Sequence, residues 1–326
     1  MTTPVLVPAS EEVFERVASA VREGLTARRK SLPPWLFYDE AGSRLFEQIT
    51  GLSEYYLTRT ERSILAAHSG EMIRRAAGDA HLRLVELGAG SADKTRLLLT
   101  AALARQPQVV YQPVDVSVSA LDEACTRIEN ELPCVRLRPQ AMDFTRELDL
   151  EACRDGERRL VLFIGSSIGN FEPADAAALL RRVRAHLNPG DGFLLGVDLR
   201  KDVSTLIAAY DDADGVTAAF NLNLLERLNR ELGAEFDPDT FEHRAIWNGA
   251  ASRIEMHLVS ERPQRVAIAA LGLTIPFGPG ETIHTENSYK FAPGEPESLL
   301  QRASFAPMQT WTDPQQWFAV CLARAE

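Results

Sequence analysis

The sequence predicts an α/β fold built on a doubly wound, mainly parallel sheet, and three observations lead to that prediction. A short apolar run at residues 82–87 ends on a glycine pair and is followed by a helical pattern, which is typical of strand, tight turn and helix. Strand-like and helix-like segments then alternate over residues 61–198. Two strand-like segments, 307–311 and 317–323, close the chain as a hairpin.

The alternating region accounts for most of the predicted elements. They are helix 61–77, strand 82–87, helix 93–104, strand 109–114, helix 118–130, strand 135–139, strand 160–164, helix 173–187 and strand 192–197. Ahead of them, a helix is predicted over 11–29 with Ser10 as its N-cap, and a shorter one over 41–49. A Rossmann-like core of five strands followed by a terminal hairpin is the sheet expected of class I methyltransferases, and a plain dinucleotide-binding half would not predict the hairpin.

Residues 199–285 break the alternation and predict a second, α+β unit inserted after the fifth strand. Its predicted elements are helices 202–213 and 215–232 and extended segments 243–248, 252–259 and 264–273, after which helix 295–303 leads into the closing hairpin. We therefore expect a Rossmann-like domain of residues 62–198 and 289–326, and a substrate-binding domain of residues 9–61 and 199–288.

Composition limits the classes of function. The chain has 326 residues, 45% hydrophobic and 25% charged, the profile of a globular protein. Its net charge of −11 disfavours nucleic acid, which needs a basic footprint. No run of about 18 apolar residues and no signal-peptide pattern occurs, so we expect no membrane span. The four cysteines lack CxxC spacing and the six histidines lack ligand spacing, which predicts free thiols, a cytoplasmic location and no metal.

The glycine turn at Gly88 and Gly90 admits several ligands. A phosphate loop needs GxxxxGK[ST], which is missing, and a dinucleotide fingerprint needs a third glycine where Asp93 stands. S-adenosylmethionine carries no phosphate and has less need of that geometry. Glu86, just before the turn, lies at the strand end where open α/β sheets bind ligands. A lone GxG motif is weak, and by itself it does not separate a cofactor site from a structural turn.

Polar and aromatic residues follow the next two strands. Asp115 ends the second strand, where an acid accepts two ribose hydroxyls in dinucleotide sites. Asp143 and Phe144 follow the third, offering an acceptor for an adenine amino group and a ring to stack on the base. An aspartate at a strand end is also a common helix N-cap, so each residue alone has an ordinary explanation. Their occurrence at successive strand ends favours a nucleoside-bearing ligand.

Seven blocks in order resemble the histidine-specific Nα-methyltransferases of ergothioneine biosynthesis. They are LPPWLFYDEAGSRLFEQIT, EYYLTRTE, LVELGAGSADKT, FIGSSIGNF, AYDDADGVTAAFNLNLL, RIEM and TENSYKF, and the likeness runs from about residue 10 to 322. The resemblance implies an enzyme that moves three methyl groups, one at a time, from S-adenosylmethionine to the α-amino nitrogen of L-histidine. The products are the betaine hercynine and S-adenosylhomocysteine.

The resemblance also implies roles for individual residues. Cofactor contacts carry over to Tyr38, Gly88, Lys94, Asp115, Asp143 and Phe144; histidine carboxylate contacts to Tyr55, Asn170 and Tyr210; and imidazole contacts to Glu286 and Ser288, with Met256 lining the ring. Two positions depart from the family pattern, which has proline at Leu57 and threonine at Ser167. The departures leave the reaction class intact and bear on fine positioning of the substrate.

The chemistry explains why these residue types suffice. A sulfonium is already an activated leaving group, so proximity and alignment do most of the work and neither a metal nor a protein nucleophile is required. The nucleophile must be a neutral amine, and we hypothesise that Tyr38 accepts a hydrogen bond from it and turns its lone pair toward the methyl group. We also hypothesise that the aromatic stretch 35–56 forms one wall of the site. Trp35 and Phe37 are expected only to pack. The alternatives are a relative that methylates another amino acid or amine, and a silent protein that binds the cofactor. A monomer is expected.

Overall fold

The computed structural model describes residues 11–326, so the predicted N-cap Ser10 lies outside the described residues. The α-helices are α1 (Glu11–Thr26), α2 (Glu40–Gly51), α3 (Tyr56–Ala77), α4 (Thr95–Leu103), α5 (Val118–Glu131), α6 (Pro173–Ala185), α7 (Val203–Ala208), α8 (Val216–Leu232) and α9 (Glu295–Arg302). Turns of 3-10 helix occur at Pro34–Phe37, Ser167–Asn170, Pro238–Thr240 and Ala269–Leu271.

The strands connect these helices in the alternating order that the sequence predicts for its middle part. They are β1 (Lys30–Ser31), β2 (His81–Leu87), β3 (Val109–Asp115), β4 (Val135–Leu137), β5 (Gln140–Ala141), β6 (Glu157–Phe163), β7 (Gly192–Asp198), β8 (Phe241–Asn248), β9 (Arg253–Ser260), β10 (Gln264–Ile268), β11 (Leu273–Phe277), β12 (Thr282–Tyr289), β13 (Phe305–Thr312) and β14 (Phe318–Ala325).

The chain forms two compact units. The larger, which we call the Rossmann unit, consists of Tyr55–Thr205, Gly249–Arg253 and Asn287–Glu326. The smaller, which we call the second unit, consists of residues 11–54 together with Leu206–Asn248 and Ile254–Glu286.

An eight-stranded sheet organises the Rossmann unit, in the order β13-β14-β7-β6-β2-β3-β4 with β5 beside β3. β3, β2, β6 and β7 pair in parallel, whereas β14 is antiparallel to both β7 and β13. This is the Rossmann-like sheet with a terminal hairpin that the sequence predicts. Its strands carry near-continuous apolar runs because helices cover them; every residue of β7 is buried.

The second unit combines helices with two groups of strands, in one of which β1 and β12 pair in parallel. Its four-stranded sheet has the order β1-β12-β9-β8, and β10 and β11 form a separate antiparallel hairpin. The burial of β8 alternates strictly from Phe241 to Ile246, as expected of a strand with one face on a core. Three rings, Phe236, Phe241 and Phe277, meet with centroids 5.4 to 6.1 Å apart.

Several predicted boundaries were wrong. The helix predicted from residue 61 begins at Tyr56, and the one predicted over 202–213 ends at Ala208. The single extended segment predicted over 264–273 is the β10–β11 hairpin, which reverses at Gly272 with φ +60°. No described helix combines the length and the hydropathy needed to cross a membrane.

Candidate functional site

The turn after β2 brings main-chain N–H groups to the carboxyl end of the sheet. Gly88 and Gly90 both have positive φ, +72° and +50°, which favours glycine at these positions. The N–H of Gly88 donates to the carbonyl of Val114 on the neighbouring strand at 2.8 Å. A Cβ at Gly88 would lie 3.8 Å from the ring of Phe144, so the turn and that ring are neighbours.

Asp115 ends β3 beside this turn. Its carboxylate accepts the N–H of Gly90 at 3.0 Å and the N–H of Ser117 at 2.9 Å. Burial raises the pKa of Asp115 above its usual value, while these N–H groups act to lower it. The carboxylate is therefore fixed by the backbone at the strand end, the geometry expected of a group that accepts ligand hydroxyls.

Phe144 and Asp143 follow β5 in the same unit. Oδ1 of Asp143 accepts from the N–H of Thr145 at 3.0 Å and from its hydroxyl at 2.6 Å. The ring of Phe144 meets Phe163 edge to face, with centroids 5.7 Å apart. The structure thus brings together the glycine turn, Asp115 and an oriented aromatic ring, a set suited to a ribose and a flat base.

Lys94 forms an ion pair that the sequence did not predict, with Glu61 of α3. Glu61 is fully buried, and its carboxylate also accepts the N–H of Gly165 at 2.9 Å. A Cβ at Gly196 would lie 2.0 Å from Oε1 of Glu61, so only glycine leaves room for the carboxylate there. Through Glu61, the Lys94–Glu61 ion pair links the start of α4 to the turn after β6. The sequence signal that was missed is an acid on the apolar face of a helix.

Glu86 lies near the end of β2, where a ligand contact is expected, but its carboxylate lies inside the protein. It is buried, and its carboxylate accepts from Thr95 Oγ1 at 2.7 Å and from the hydroxyl of Tyr111. Burial raises the pKa of Glu86 to about 7. The side chain joins β2 to the start of α4 and to β3, so its described contacts are internal.

The turn after β6 carries Asn170. This residue ends a 3-10 turn seven residues beyond the strand, whereas the sequence predicts it at the strand end. Segment 287–291 lies against the same turn: a Cβ at Gly169 would be 2.9 Å from the carbonyl oxygen of Tyr289. Glu172 also accepts from Asn287 Nδ2 at 2.9 Å and from the Tyr289 hydroxyl at 2.6 Å. Asn170 and Ser288 therefore lie on adjoining segments.

Tyr55 directly precedes α3 and is 8% exposed. Leu57, at one of the two departures from the family pattern, lies in the first turn of that helix and is buried. Proline is also accepted in a first helical turn, so leucine preserves the same local structure. At the other departure, Ser167 keeps a hydroxyl, which donates to the carbonyl of Ile164 at 3.4 Å.

In the second unit, Tyr38 follows the first 3-10 turn within a cluster of rings. Its ring meets Phe46 and Phe220 edge to face, with centroids 5.7 and 6.0 Å apart. Phe37 is fully buried and stacks on Phe220 at 4.6 Å, which confirms that it packs. Asp39 then caps α2 by accepting the N–H of Gly42 at 2.7 Å. Phe37 packs immediately before Tyr38 and Asp39 caps α2 immediately after it, so the backbone of Tyr38 is held on both sides.

Tyr210 is held through its carbonyl by a residue that the sequence did not single out. Nε2 of buried His243 lies 2.8 Å from that carbonyl oxygen, and its Nδ1 lies 2.8 Å from Asn221 Nδ2. The amide can only donate to Nδ1, so His243 is a neutral tautomer that donates through Nε2. Burial lowers the pKa of His243, in agreement with the neutral form. Asp212 accepts the first N–H groups of α8, from Val216 at 2.9 Å and from Thr217 at 2.7 Å.

Met256 and Glu286 belong to the sheet of the second unit. Met256 is 1% exposed, and its carbonyl accepts from the hydroxyl of Thr285 at 3.0 Å. Along β12, Ile283, Thr285 and Ser288 are buried, so the two-residue alternation is interrupted after Glu286. Strict alternation along β12 would turn Glu286 and Ser288 to one face, but Glu286 is half-buried and Ser288 is buried, so their shared role stays a prediction.

Two of the six histidines, His257 and His284, are far apart along the chain but are neighbours in the second unit. The rings of His257 and His284 stack with centroids 4.9 Å apart, and Glu255 Oε2 lies 3.4 Å from His257 Nε2. Among the described residues these three side chains form the group whose ligand atoms are close enough to hold a metal ion. Burial and the neighbouring imidazole lower the pKa of His257. The two histidines meet because β9 and β12 are neighbouring strands of one sheet, which their separation along the chain does not show.

Comparison with known proteins gives the same assignment over nearly the whole chain. Residues 17–325 match the family model described as "Histidine-specific methyltransferase, SAM-dependent". The chain is 46% identical to a histidine N-alpha-methyltransferase of Mycolicibacterium smegmatis, covering 97% of each chain. It is 45% identical to the protein of that name from Mycobacterium tuberculosis, covering 93% of each.

A more distant relative belongs to a longer protein. The chain is 28% identical to ergothioneine biosynthesis protein 1 of Schizosaccharomyces pombe, with 85% of this chain covering 37% of that one. The segment of the longer protein that matches is therefore about as long as this chain.

Proposed function

Because the chain belongs to the histidine-specific, S-adenosylmethionine-dependent methyltransferase family, we propose that it trimethylates the α-amino group of L-histidine to form hercynine, a step of ergothioneine biosynthesis. The observation that carries this proposal is the 46% identity over 97% of the chain to an enzyme of that name. The Rossmann-like sheet with its terminal hairpin agrees with the reaction class.

The Rossmann unit fits an S-adenosyl group. Asp115 presents a carboxylate fixed by two N–H groups to the ribose, and Phe144 presents a ring beside Gly88 for the adenine. We assign the full set of cofactor contacts to Tyr38, Gly88, Lys94, Asp115, Asp143 and Phe144. When bound, S-adenosylmethionine supplies a methyl group on a sulfonium, a leaving group that is already activated.

The histidine contacts follow the family assignment. Tyr55, Asn170 and Tyr210 bind the carboxylate, Glu286 and Ser288 bind the imidazole, and Met256 lines the ring. A hydroxyl and an acid together satisfy a neutral imidazole, which has one N–H and one lone pair. Ligands that lack those groups leave the buried partners unpaired, which is the physical basis of the selectivity.

Tyr38 is the residue to which we assign a catalytic role. Its hydroxyl accepts a hydrogen bond from the α-amine and directs the nitrogen lone pair toward the methyl group. The protein's contribution is alignment, which can supply about 7–11 kcal/mol of the barrier in well-oriented reactions. Each transfer makes the nitrogen a larger cation, which the aromatic faces of stretch 35–56 stabilise by cation–π attraction.

The remaining parts of the proposal concern the protein's state. We assign cofactor binding to a domain of residues 62–198 and 289–326, and substrate binding to a domain of residues 9–61 and 199–288. We propose a cytoplasmic monomer that uses no metal, acts on a small molecule and binds neither nucleic acid nor membrane. The four cysteines are free thiols, which supports a reducing compartment.

A competition assay separates histidine from the alternative amine substrates. The protein is incubated with S-adenosylmethionine and an equimolar mixture of L-histidine, L-phenylalanine and L-tryptophan, and the methylated products are identified by mass spectrometry. We expect methylated histidine to dominate. Preferential methylation of another amino acid would establish the alternative. Tight binding of histidine and S-adenosylhomocysteine in calorimetry without any turnover would instead identify a silent binding protein.

The Glu286→Ala variant tests the imidazole assignment. We expect its preference for histidine over phenylalanine to fall at least tenfold, the effect of losing a hydrogen bond worth about 1.5 kcal/mol or more. The control is Glu242→Ala, which removes an exposed acid from β8 of the same sheet and should keep the preference. An unchanged preference in Glu286→Ala would contradict the role of Glu286 while leaving the reaction class in place.

A further inference from the structure

The Rossmann unit contains a buried group of charged side chains that the proposed mechanism does not use. We call it the Asp198 cluster: Asp198 at the end of β7 with Tyr56, Lys201 and Lys290. Oδ2 of Asp198 accepts from the Tyr56 hydroxyl at 2.7 Å and lies 2.8 Å from Nζ of Lys290. Lys201 pairs with Oδ1 and donates to the Tyr56 hydroxyl at 2.8 Å. The side chains of Asp198 and Lys290 are 0% exposed.

Nζ of Lys290 also donates to the hydroxyl oxygen of Ser288, at 2.7 Å. Ser288 is itself buried, at 3% exposure. This bond links the cluster to one of the two residues assigned to the imidazole. Lys201, the other cation of the cluster, has its described contacts with Asp198, Tyr56 and the carbonyl of Leu199.

The backbone fixes the position of Lys290 independently of its side chain. Its N–H donates to the carbonyl of Ser252 at 2.8 Å, and its carbonyl accepts from the Ser252 hydroxyl at 2.8 Å. The next residue, Phe291, donates its N–H to the carbonyl of Asp198 at 2.9 Å and accepts from the N–H of Arg200 at 2.9 Å. These backbone hydrogen bonds hold Lys290 in place, and its ammonium lies against the Ser288 hydroxyl.

We propose that Lys290 is a positioning residue that makes Ser288 a hydrogen-bond donor toward the ring of the bound substrate, so that the site selects a neutral imidazole. The inference rests on the proposed function and deepens it. Neither the sequence motifs nor the family assignment gives Lys290 a role.

The direction of the hydrogen bond follows from chemistry. An ammonium has three donors and no acceptor, so in this bond the Ser288 oxygen must accept. A hydroxyl that accepts from a cation is polarised to donate its own hydrogen, and it presents a poor acceptor to a second N–H. The lone pair of a neutral imidazole matches such a hydroxyl, whereas an imidazolium offers an N–H to both of its partners.

Of the charged groups in the cluster, the one in contact with the Ser288 hydroxyl is a cation. Lys290 faces the hydroxyl directly, and behind it Asp198 and Lys201 complete the cluster, with the charge of Asp313 acting on Lys201. Glu286, assigned to the other ring nitrogen, is the acid that would favour a cation. The cation at Ser288 opposes it, so the ring is bound neutral with its N–H toward Glu286.

Enzyme kinetics with two matched variants provide the first test. Lys290→Met and Lys201→Met each remove one buried cation of the same cluster, and Lys290 alone of the two donates to Ser288. We expect Lys290→Met to raise KM for histidine about tenfold relative to Lys201→Met, with kcat changed less than threefold. In a Ser288→Ala background that difference between the two variants should disappear. Equal KM values for the two variants, or a difference that persists without Ser288, would overturn the proposal.

A measurement on the unaltered protein covers the case in which a variant fails to fold. Ring-¹⁵N-labelled L-histidine is bound with S-adenosylhomocysteine at pH 5.5, where most free imidazole is protonated. The ¹⁵N spectrum should show one protonated and one unprotonated ring nitrogen. Two protonated nitrogens would overturn the inference. A protein that does not methylate histidine at all would instead contradict the proposed function. The ¹⁵N spectrum and the methylation assay therefore distinguish failure of the inference from failure of the proposed function.

Discussion

At the residue scale, the buried acid Glu86 sets a pH dependence of stability. Glu86 is held by hydroxyls of Thr95 and Tyr111, and burial raises its pKa to about 7 from the usual value near 4.5. The folded state therefore binds a proton at Glu86 more tightly than the unfolded state does. Its contribution to stability is complete below about pH 4.5 and is lost as the pH rises through 7.

The Glu86→Gln variant should remove that dependence. From pH 5.5 to 7.5 the free energy of unfolding of the parent should fall by about 2 kcal/mol more than that of the variant, because of the shift in the pKa of Glu86. Urea unfolding at pH 5.5, 6.5 and 7.5 measures the difference. The control is Glu123→Gln, an exposed residue of α5, which should follow the parent. Parallel curves for Glu86→Gln and the parent would contradict the assignment.

Single residues at strand ends were the part of the site that the sequence could predict. The chain direction of a parallel sheet puts the ends of β2 and β3 at one edge, so the sequence alone predicts that Gly88 and Asp115 are neighbours. The contacts of Glu86 could not be predicted, because whether a strand-end acid faces outward or inward depends on which residues surround it. His243 was missed for the same reason: its partners Tyr210 and Asn221 are 33 and 22 residues away.

At the scale of elements, Glu61 connects the helix that carries it to three others. It lies on α3, pairs with Lys94 at the start of α4, binds Gly165 after β6 and fills the space above Gly196 on β7. A carboxylate buried this deeply is tolerated because all of its contacts are donors or a cation. The contacts that Glu61 makes with these elements, which we call the Glu61 junction, therefore require glycine at residue 196.

The Gly196→Ala variant should disrupt this junction. Its Cβ would lie 2.0 Å from Oε1 of Glu61 and 3.2 Å from Cα of Ile164, so the carboxylate must leave its partners. We expect a loss of about 3 kcal/mol in stability, the range for overpacking combined with a broken buried ion pair. Gly70→Ala on α3, where a Cβ meets nothing within 4 Å, should instead be neutral or stabilising in chemical denaturation. Equal stability of the two variants would contradict the account of Glu61.

Helices and strands were predictable where their pattern was long and regular. The elements from β2 to β7 follow the expected alternation because buried strands and amphipathic helices differ in period. The hairpin of β10 and β11 was read as one strand because its reversal uses a short 3-10 turn at Ala269–Leu271, inside an apolar run without proline. The predicted start of α3 was too late because Tyr56, its first residue, continues the aromatic stretch before it.

At the scale of the whole molecule, the family assignment rests on order as much as on identity. Seven blocks occur in sequence along the chain, and the family model covers residues 17–325. Without the family pattern, the sequence predicts an α/β protein with a nucleoside-bearing ligand and does not predict its substrate. The substrate class enters through residues such as Glu286 and Ser288, whose types are common and whose meaning comes from the family pattern.

The most direct test of trimethylation is the stoichiometry of the reaction with ¹³C-methyl-labelled S-adenosylmethionine and limiting L-histidine. Product and S-adenosylhomocysteine are quantified together, by mass spectrometry and by NMR of the labelled methyl groups. The account predicts hercynine with three equivalent labelled methyls on the α-nitrogen and three molecules of S-adenosylhomocysteine for each histidine consumed. Label on a ring nitrogen, a reaction that ends at one methyl group, or no labelled histidine at all would contradict it.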